Sequence, residues 1–425
     1  MAKLKSKDFN KALEIGRPPN IVKLFPNSKA LIVSGKVIDR AMMKKGKAMT
    51  IAANSRNSII IKGVLQAAQR ANAAVILEIA KSEATYCLIS MWNLARYADS
   101  ICNELGITIP VAIHADHFGL KKQPEVGKAK VDIPSMFDAG ITSIAIDASH
   151  MVDEENLLAN MELNSYIPSW AGYETEVGEI KGKEGLSTPE EALFLIQGLN
   201  ANGIFPDWIA LNNGTTHGIE ASDSGIDVEL TKRIHDALAI YGLSGAQHGT
   251  SGNSYERLKR IATETHTTKA NVATALQMLS WGVKVNEYGN AILDDQKNFI
   301  KMADEGVTDE LWAEMTAYAQ GKSLKAGDYK NLNLPFENKL LAQPRQIRER
   351  MAKGVEDFVY ELLVKWFNAA DTAPLAIEAI LEKGSYDLGP KGSRIENPAE
   401  WTRDKIMDRA KSLHKKESGT GNYDD

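Results

Sequence analysis

The sequence has little cysteine, no long apolar run and no strong excess of charge of either sign. Only Cys87 and Cys102 occur among 425 residues, which excludes a disulfide framework and a thiolate metal cluster. No stretch approaches the ~20 consecutive apolar residues that a membrane-spanning helix needs. The formal net charge of −5 provides no basic surface for nucleic acid or an anionic membrane.

What is present is typical of a globular protein, with 44% hydrophobic and 25% charged residues. The chain is long enough for one large domain or two ordinary ones. The N-terminal stretch MAKLKSKDFNKALEIGRPPN is basic but lacks the apolar core of a signal peptide. We therefore expect a cytoplasmic protein.

Short apolar or β-branched runs alternate with longer amphipathic stretches. They predict strands at 48–54, 74–80, 110–114, 143–147, 172–178, 207–213, 243–247 and 282–286. Eight β–α units in about 250 residues are typical of a (β/α)8 TIM barrel, an α/β fold. A doubly wound open sheet is the alternative, but the chain has no GxGxxG or GxxxxGK[ST] phosphate loop to favour it.

The pattern also predicts the layout of the chain. We expect an N-terminal segment over 1–47 leading into the barrel, the barrel over 48–370, and a C-terminal helical extension over 371–425. Its last residues, KKESGTGNYDD, are expected to be disordered. Within the barrel, one helix is expected to begin at Thr188, because Thr188, Pro189 and Glu191 can supply an N-cap, a first-turn proline and a capping box.

Polar residues follow the ends of the predicted strands: Asn54, Asp116 with His117, Asp147, Glu176, His217, His248 and Asn286. In a (β/α)8 barrel the C-terminal strand ends converge on one mouth, where active sites lie. Three histidines and a carboxylate meeting there suit a catalytic divalent metal, zinc foremost.

Each of these residues has an ordinary alternative role. A histidine can be a hydrogen-bonded structural residue, Asp147 can cap the following helix, and ETE can be a solvated strand edge. The recurrence of histidine in the same structural position favours the metal over these alternatives.

Glycine gives a second signal. GTTHG (214–218) and QHGTSGN (247–253) each place a histidine beside glycine and Ser/Thr at a predicted strand-to-helix turn. Such turns expose backbone N–H groups near a helix N-terminus and favour a phosphate. The alternative is a tight turn with an N-cap serine. A metal and a phosphate at one mouth indicate a sugar-phosphate or related phosphoester substrate.

In order, the motifs HADH, IDASH, ETEVGEIKGKEG, GTTHG, QHGTSGN and VKVN resemble those of the class II, metal-dependent fructose-bisphosphate aldolase family. The resemblance runs from Ala48 to Asn286, and a weaker similarity continues at QPRQIRERM. It implies Zn²⁺ or another divalent metal and leaves room for a monovalent cation. It also implies reversible cleavage of a ketose bisphosphate such as fructose 1,6-bisphosphate to dihydroxyacetone phosphate and glyceraldehyde 3-phosphate, as in glycolysis and gluconeogenesis.

The resemblance further implies roles for individual residues. Asp116 would exchange a proton with the hydroxyl and aldehyde oxygen, Glu184 on a mobile lid would exchange the proton of the ketose-phosphate carbon, and Asp147 would lie beside the metal. The implied metal ligands are His117, Glu176, His217 and His248. The implied substrate or phosphate contacts are Asn54, Gly218, Gly249, Ser251, Asn286 and Arg345. Arg345 would reach a neighbouring subunit's phosphate, which implies a homodimer or a higher homo-oligomer.

Some positions depart from the family pattern. Ala80 stands where the family has a serine, and Tyr288 and Gly289 stand where it has an aspartate and a threonine after the strand-end asparagine. These departures favour an alternative function, a related class II aldolase that acts on a different phosphorylated ketose.

Two further alternatives remain. A non-catalytic barrel that stabilises a partner aldolase is opposed by the retained metal-type residues and by Asp116 and Glu184. A metal hydrolase is opposed by the absence of His-x-His, since His114 and His117 are three positions apart. No strand-end lysine is found for a Schiff base.

The stretch PVAIHADHFGL raises a question of geometry. Strand alternation would place His114 and Asp116 on one face and His117 on the other. If the strand ends near Ala115, the turn brings His117 to the metal with Asp116 beside the substrate, and His114 stays inside the barrel.

Overall fold

A computed structural model describes residues 6–178, 185–214, 225–251, 253–286 and 289–413. Its strands are β1 (Ile32–Val33), β2 (Thr50–Asn54), β3 (Val75–Ala80), β4 (Val111–Gly119), β5 (Ser143–Asp147), β6 (Gly172–Val177), β7 (Trp208–Leu211), β8 (Ser244–Gln247) and β9 (Thr267–Val272). Strands β2 to β9 pair in parallel in chain order, and β9 also pairs with β2. The sheet therefore closes, and the predicted (β/α)8 barrel is confirmed. The short β1 pairs with the start of β4.

The helices are α1 (Ser6–Ile15), α2 (Pro19–Leu24), α3 (Gly35–Lys45), α4 (Ser58–Ala71), α5 (Leu94–Leu105), α6 (Pro124–Asp138), α7 (Asp153–Leu163), α8 (Pro189–Ala201), α9 (Val228–Leu238), α10 (Tyr255–Glu264), α11 (Thr274–Trp281), α12 (Asp309–Gly321), α13 (Asn333–Leu341), α14 (Arg345–Glu361), α15 (Ala373–Lys383) and α16 (Arg403–Ala410). Helices α4 to α11 each follow one barrel strand, and α14 packs against α4 and α11. Within the described residues, no helix has the length and apolar character needed to cross a bilayer.

Local sequence explains where the helices begin. At α4, Asn57 Oδ1 accepts hydrogen bonds from the backbone N–H groups of Ile59 and Ile60. At α8, Thr188 Oγ1 accepts from the Glu191 N–H at 3.2 Å, and the Glu191 carboxylate accepts from the Thr188 N–H at 2.9 Å. Both caps satisfy donors that the first turn of a helix leaves without partners. The capping box predicted at Thr188 is confirmed.

The last barrel strand was predicted in the wrong place. It is β9, with the sequence TTKANV, whereas 282–286 belongs to a segment joined by isolated antiparallel bridges such as Val283 to Lys301. The prediction failed because Lys269 and Asn271 of β9 point into the barrel, where strand periodicity leads one to expect apolar residues. The alternating Val283 and Val285 instead pack in a smaller core shared with α12 and α13.

The C-terminal part of the chain contacts the base of the barrel. Lys391 Nζ lies 2.7 Å from Asp39 Oδ2 and donates to Ser244 Oγ at 2.7 Å and to Asp207 O at 2.8 Å. Ser244 begins β8 and Asp207 precedes β7, so Lys391 lies at the end opposite the mouth. Trp401 belongs to the same apolar core as the barrel. Residues 414–425, which include the tail predicted to be disordered, lie outside the described residues.

Candidate metal centre at the barrel mouth

Strand β4 contains an irregularity at Asp116 and His117. Ala115 pairs with Ile144 of β5 and Phe118 pairs with Ile146, so two residues of β4 oppose one residue of β5. His117 has a φ of 41°, in the left-handed region that non-glycine residues seldom adopt. This bulge breaks the alternation that would send the two side chains to opposite faces. Both reach the mouth from within a strand that continues to Gly119, rather than from a turn near Ala115.

His117 faces two carboxylates from the next two strands. Its Nδ1 lies 3.2 Å from Glu176 Oε1 and 3.3 Å from Asp147 Oδ2. Asp147 Oδ1 accepts hydrogen bonds from the Ser149 backbone and hydroxyl, so its carboxylate organises the loop after β5. The N-cap of α7 is Val152, and Asp147 therefore does not cap that helix.

His248, just after β8, completes the group. Its ring centroid lies 4.2 Å from that of His117, and its Nδ1 lies 3.8 Å from Glu176 Oε2. Its other ring nitrogen, Nε2, lies 3.1 Å from Glu174 Oε1. Glu174 and Glu176 are both buried, so the ETE motif is not a solvated strand edge. The structure thus brings His117, Glu176 and His248 together at the carboxyl ends of their strands.

Asp116 lies directly beside these groups and is held by the last strand. Asn271 Nδ2 donates to Asp116 Oδ1 at 2.8 Å, and His248 Nε2 lies 3.9 Å from the same oxygen. The sequence pattern predicted Asn286 at this position and gave no indication of Asn271. Asn286 is not at a barrel strand end: its backbone N–H donates to Asn290 O, and its Oδ1 accepts from the Asn290 N–H.

A buried lysine lies beneath the mouth, which sequence reasoning also missed. Lys269 Nζ is 2.8 Å from Glu174 Oε2, 3.3 Å from Glu78 Oε2 and 3.7 Å from Asp116 Oδ1. Burial alone would lower the pKa of Lys269, but Glu174, Glu78 and Asp116 raise it above its ordinary value. These carboxylates favour the protonated amine, and a protonated amine is not a nucleophile.

Burial and charge set the protonation of the mouth. Burial alone would raise the pKa of Asp116, but His117, Lys269 and His248 lower it to about 2. Burial, and secondly Asp147, raise the pKa of Glu176 to about 8. Burial alone would lower the pKa of His117, but Glu176 and Asp116 raise it well above its usual value. The carboxylates therefore favour a positive charge between them, whether a proton or a cation.

The residues at this point fit a divalent metal. Ligand atoms of Asp116, His117 and His248, of His117, Asp147 and Glu176, and of Glu174, Glu176 and His248 lie within 4.8 Å of one another in each set. Glu176 Oε1 is buried and accepts no hydrogen bond from the described residues. Ligands about 2.0–2.1 Å from zinc in a tetrahedron lie about 3.3 Å apart. The separations of 3.2 and 3.8 Å from Glu176 to the two histidines are close to that value.

The structure describes some of the residues that were predicted to contact the substrate. Asn54 is buried at the end of β2 and donates from Nδ2 to Glu83 Oε2 at 2.9 Å. Gly249 follows His248 with a φ of 59°, a conformation that favours glycine. Ser251 lines a small cavity with Thr250 and Gly289. Arg345 begins α14, and its Nε lies 2.7 Å from Glu349 Oε1. The remaining predicted residues Glu184, His217 and Gly218, and the departure Tyr288, lie outside the described residues.

Because the last barrel strand is β9, a different pair of residues must be compared with the family pattern. The aspartate and threonine of the family were compared with positions two and three after Asn286. Counted from Asn271, those positions are Ala273 and Thr274, and Thr274 begins α11. In this register the threonine is present and the aspartate is replaced by alanine. Ala80, at the end of β3, remains a departure and pairs with Asp116 in the sheet.

Comparisons with known proteins show which family the chain resembles. The family described as Fructose-bisphosphate aldolase class-II matches residues 36–322. The chain is 27% identical over 287 residues to fructose-bisphosphate aldolase of Staphylococcus epidermidis, covering 64% of this chain and 92% of that protein. It is 29% identical over 257 residues to fructose-bisphosphate aldolase of Streptococcus pneumoniae, covering 58% and 80%.

Two solved structures share the fold. The YdjI aldolase from Escherichia coli K12 matches with a TM-score of 0.54 and 19% identity, covering 80% of this chain and 99% of that one. Fructose-bisphosphate aldolase (Fba) from Campylobacter jejuni matches with a TM-score of 0.51 and 17% identity, covering 81% and 97%.

Proposed function

Because the chain belongs to the class-II fructose-bisphosphate aldolase family and is an aldolase-type lyase, we propose that it is a zinc-dependent aldolase of glycolysis and gluconeogenesis. Its substrate would be a ketose bisphosphate, with fructose 1,6-bisphosphate as the first candidate. The products would be dihydroxyacetone phosphate and glyceraldehyde 3-phosphate. The observation that carries the proposal is the meeting of His117, Glu176 and His248 beside Asp116.

His117, Glu176 and His248 would hold the divalent cation, with His217 as a further ligand. When bound, the ion supplies Lewis-acid stabilisation of the negative charge that cleavage leaves on the ketose-derived fragment. Asp147 would lie beside the cation, because its Oδ2 is 3.3 Å from the same His117 Nδ1 that faces Glu176, while Ser149 holds its Oδ1.

Asp116 would be the base that starts cleavage. Its low pKa keeps the carboxylate ionised, as a proton acceptor must be. It takes the proton from the substrate hydroxyl, the O–H electron pair forms the aldehyde C=O, and the electrons of the breaking C–C bond pass to the ketose-derived fragment. Among the described residues, the contacts from Asn271, Lys269 and His248 all fall on Oδ1, so we assign the proton to Oδ2. Glu184 would then protonate the carbon of that fragment.

A second candidate is a related class II aldolase that acts on a different phosphorylated ketose. Ala80 and Ala273 favour it, because a hydroxyl and a carboxylate expected near the substrate are both replaced by methyl groups. A polar group of the substrate that loses its partner in a closed site costs about 1–3 kcal/mol. This loss would shift the preference between ketoses without changing the bond that is cleaved.

Arg345 supports the proposed homodimer. Its side chain is 85% exposed at the start of α14, where Glu349 is its ion-pair partner. An exposed arginine beside a weak surface partner can exchange that carboxylate for a phosphate at small cost. We propose that it contacts the phosphate bound by the neighbouring subunit.

The test is a substrate panel. Zinc-loaded protein would be assayed for cleavage of fructose 1,6-bisphosphate, of its monophosphates and of other ketose bisphosphates. Highest kcat/KM on fructose 1,6-bisphosphate supports the first candidate, and highest kcat/KM on another phosphorylated ketose supports the second. Zinc-loaded protein that cleaves none of them contradicts both and points to a non-catalytic partner of an aldolase.

A further inference from the structure

The barrel interior contains a charged cluster that the proposed reaction does not use. Lys269, Glu78 and Glu174 have no exposed surface and lie directly beneath the mouth. His114 joins them, with its Nε2 3.2 Å from Lys269 Nζ and its Nδ1 2.8 Å from Ser143 Oγ. Buried charges are costly unless each has partners, so a cluster of this kind needs a structural or functional reason.

Glu174 connects this cluster to the mouth. Its Oε2 accepts from Lys269 Nζ at 2.8 Å, and its Oε1 lies 3.1 Å from His248 Nε2. Among the described carboxylates, Asp116 also approaches that nitrogen, but its Oδ1 lies 3.9 Å away, outside hydrogen-bonding range. Glu174 is therefore the carboxylate that fixes the orientation of the His248 ring.

The contact also selects the tautomer of His248. An ionised carboxylate only accepts hydrogen bonds, so the neighbouring Nε2 must carry the proton. In the neutral ring the lone pair then lies on Nδ1, the nitrogen that faces Glu176. Only a nitrogen with a free lone pair can bind a metal.

Lys269 requires Glu174 to be a hydrogen-bond acceptor. Because the ammonium group only donates, the carboxylate atom next to it must accept. The side chain at position 174 thus needs an acceptor at both ends, one for Lys269 and one for His248. A carboxylate meets this requirement, whereas an amide of the same shape meets it at only one end.

We propose that Glu174, anchored by Lys269, is a positioning residue that holds His248 in the Nε2–H tautomer and so presents Nδ1 to the divalent cation. The inference rests on the metal centre of the proposed function. It adds a requirement beyond His117, Glu176 and His248: a strand-borne lysine inside the barrel and a glutamate that acts through the His248 ring.

The test uses Glu174→Gln, with Glu78→Gln as the matched control. Both changes replace a buried carboxyl group next to Lys269 by an amide, but of the two side chains only Glu174 touches His248. In Glu174→Gln the amide oxygen must face Lys269, so its NH₂ faces His248 and moves the ring proton to Nδ1. We expect zinc affinity, measured by competition with a chromophoric chelator, to fall about 10- to 100-fold in Glu174→Gln and less than about threefold in Glu78→Gln.

A second readout needs no metal. Nitrogen-15 NMR of the histidine rings in metal-free protein should show His248, assigned with His248→Gln, protonated at Nε2 in the wild type and at Nδ1 in Glu174→Gln. An Nδ1–H tautomer in the wild type would overturn the proposal even if no variant folds. Equal losses of zinc affinity in both variants would also overturn it. Failure of the wild type to bind zinc would contradict the proposed function instead. The NMR measurement of the His248 tautomer would then still test the role of Glu174.

Discussion

Asn271 Nδ2 donates a 2.8 Å hydrogen bond to Asp116 Oδ1, so the strand that closes the barrel also holds the carboxylate proposed to move the proton. The bond crosses the barrel interior from β9 to the bulge of β4. It lies beside Lys269, which approaches the same oxygen from below. The geometry of Asp116 therefore depends on the closing strand, although that strand carries none of the proposed metal ligands.

Replacement of Asn271 by alanine should lower kcat/KM about 10- to 100-fold, because a hydrogen bond to a charged group contributes about 1.5–3 kcal/mol and each 1.36 kcal/mol is tenfold in rate. Bound zinc, measured by atomic absorption, should stay near the wild-type value. The control is Asn286→Ala, which removes the asparagine expected from sequence alone and should change kcat/KM less than about threefold. A larger loss in Asn286→Ala than in Asn271→Ala would show that the wrong asparagine has been assigned.

Two variants should distinguish metal binding from proton transfer. His248→Ala should lose most bound zinc together with turnover. Asp116→Asn keeps the shape and the contact with Asn271, so it should retain zinc but lose about 10²- to 10⁴-fold in kcat, the usual contribution of an acid–base group. Zinc stoichiometry and kcat would be measured on the same preparations. Loss of zinc from both variants would mean that Asp116 serves the metal rather than the proton.

The left-handed backbone at His117 gives a stability prediction. His117→Asn and His117→Val both remove the imidazole, but asparagine tolerates positive φ far better than a β-branched residue. In metal-free protein, His117→Val should have a free energy of unfolding about 1–2 kcal/mol lower than His117→Asn. Denaturant titration of the two variants measures the difference, and identical midpoints would argue against the bulge.

Lys391 should matter for stability and not for chemistry, since it lies at the base of the barrel. Lys391→Met leaves Asp39 buried with one cation fewer, which should lower the free energy of unfolding by about 3–5 kcal/mol. Turnover per folded molecule should not change. The matched control Lys405→Met breaks the exposed pair with Glu400 and should cost under about 1 kcal/mol. Loss of kcat in Lys391→Met without loss of stability would contradict this assignment.

The sequence predicted the barrel because seven of its strands lie in short segments that alternate with longer amphipathic stretches. It predicted the mouth residues because histidines and carboxylates recur just after those runs. The eighth strand could not be recognised, since its inward side chains Lys269 and Asn271 are polar. Lys269 and Asn271 are buried because they contact Glu174 and Asp116, which lie on other strands and are distant in sequence. A signal was nevertheless present in the β-branched pair Thr267–Thr268 after a complete ten-residue helix, α10.

The bulge at His117 was equally hidden, because a left-handed histidine has no local sequence signature. Its cause is tertiary: Glu176 and Asp147 on the next two strands stabilise the ring where it lies. The same applies to the base of the barrel. The contacts of Lys391 with Asp39 and Ser244 join parts of the chain whose local patterns give no indication of each other.

The most direct test of the account is the rate of fructose 1,6-bisphosphate cleavage before chelation, after chelation and after zinc is restored. Dihydroxyacetone phosphate would be followed with a coupled dehydrogenase, and the ketose panel would be run in parallel. The account predicts cleavage of at least one phosphorylated ketose that disappears when zinc is removed and returns when zinc is added back. Cleavage that survives complete removal of metal would contradict it.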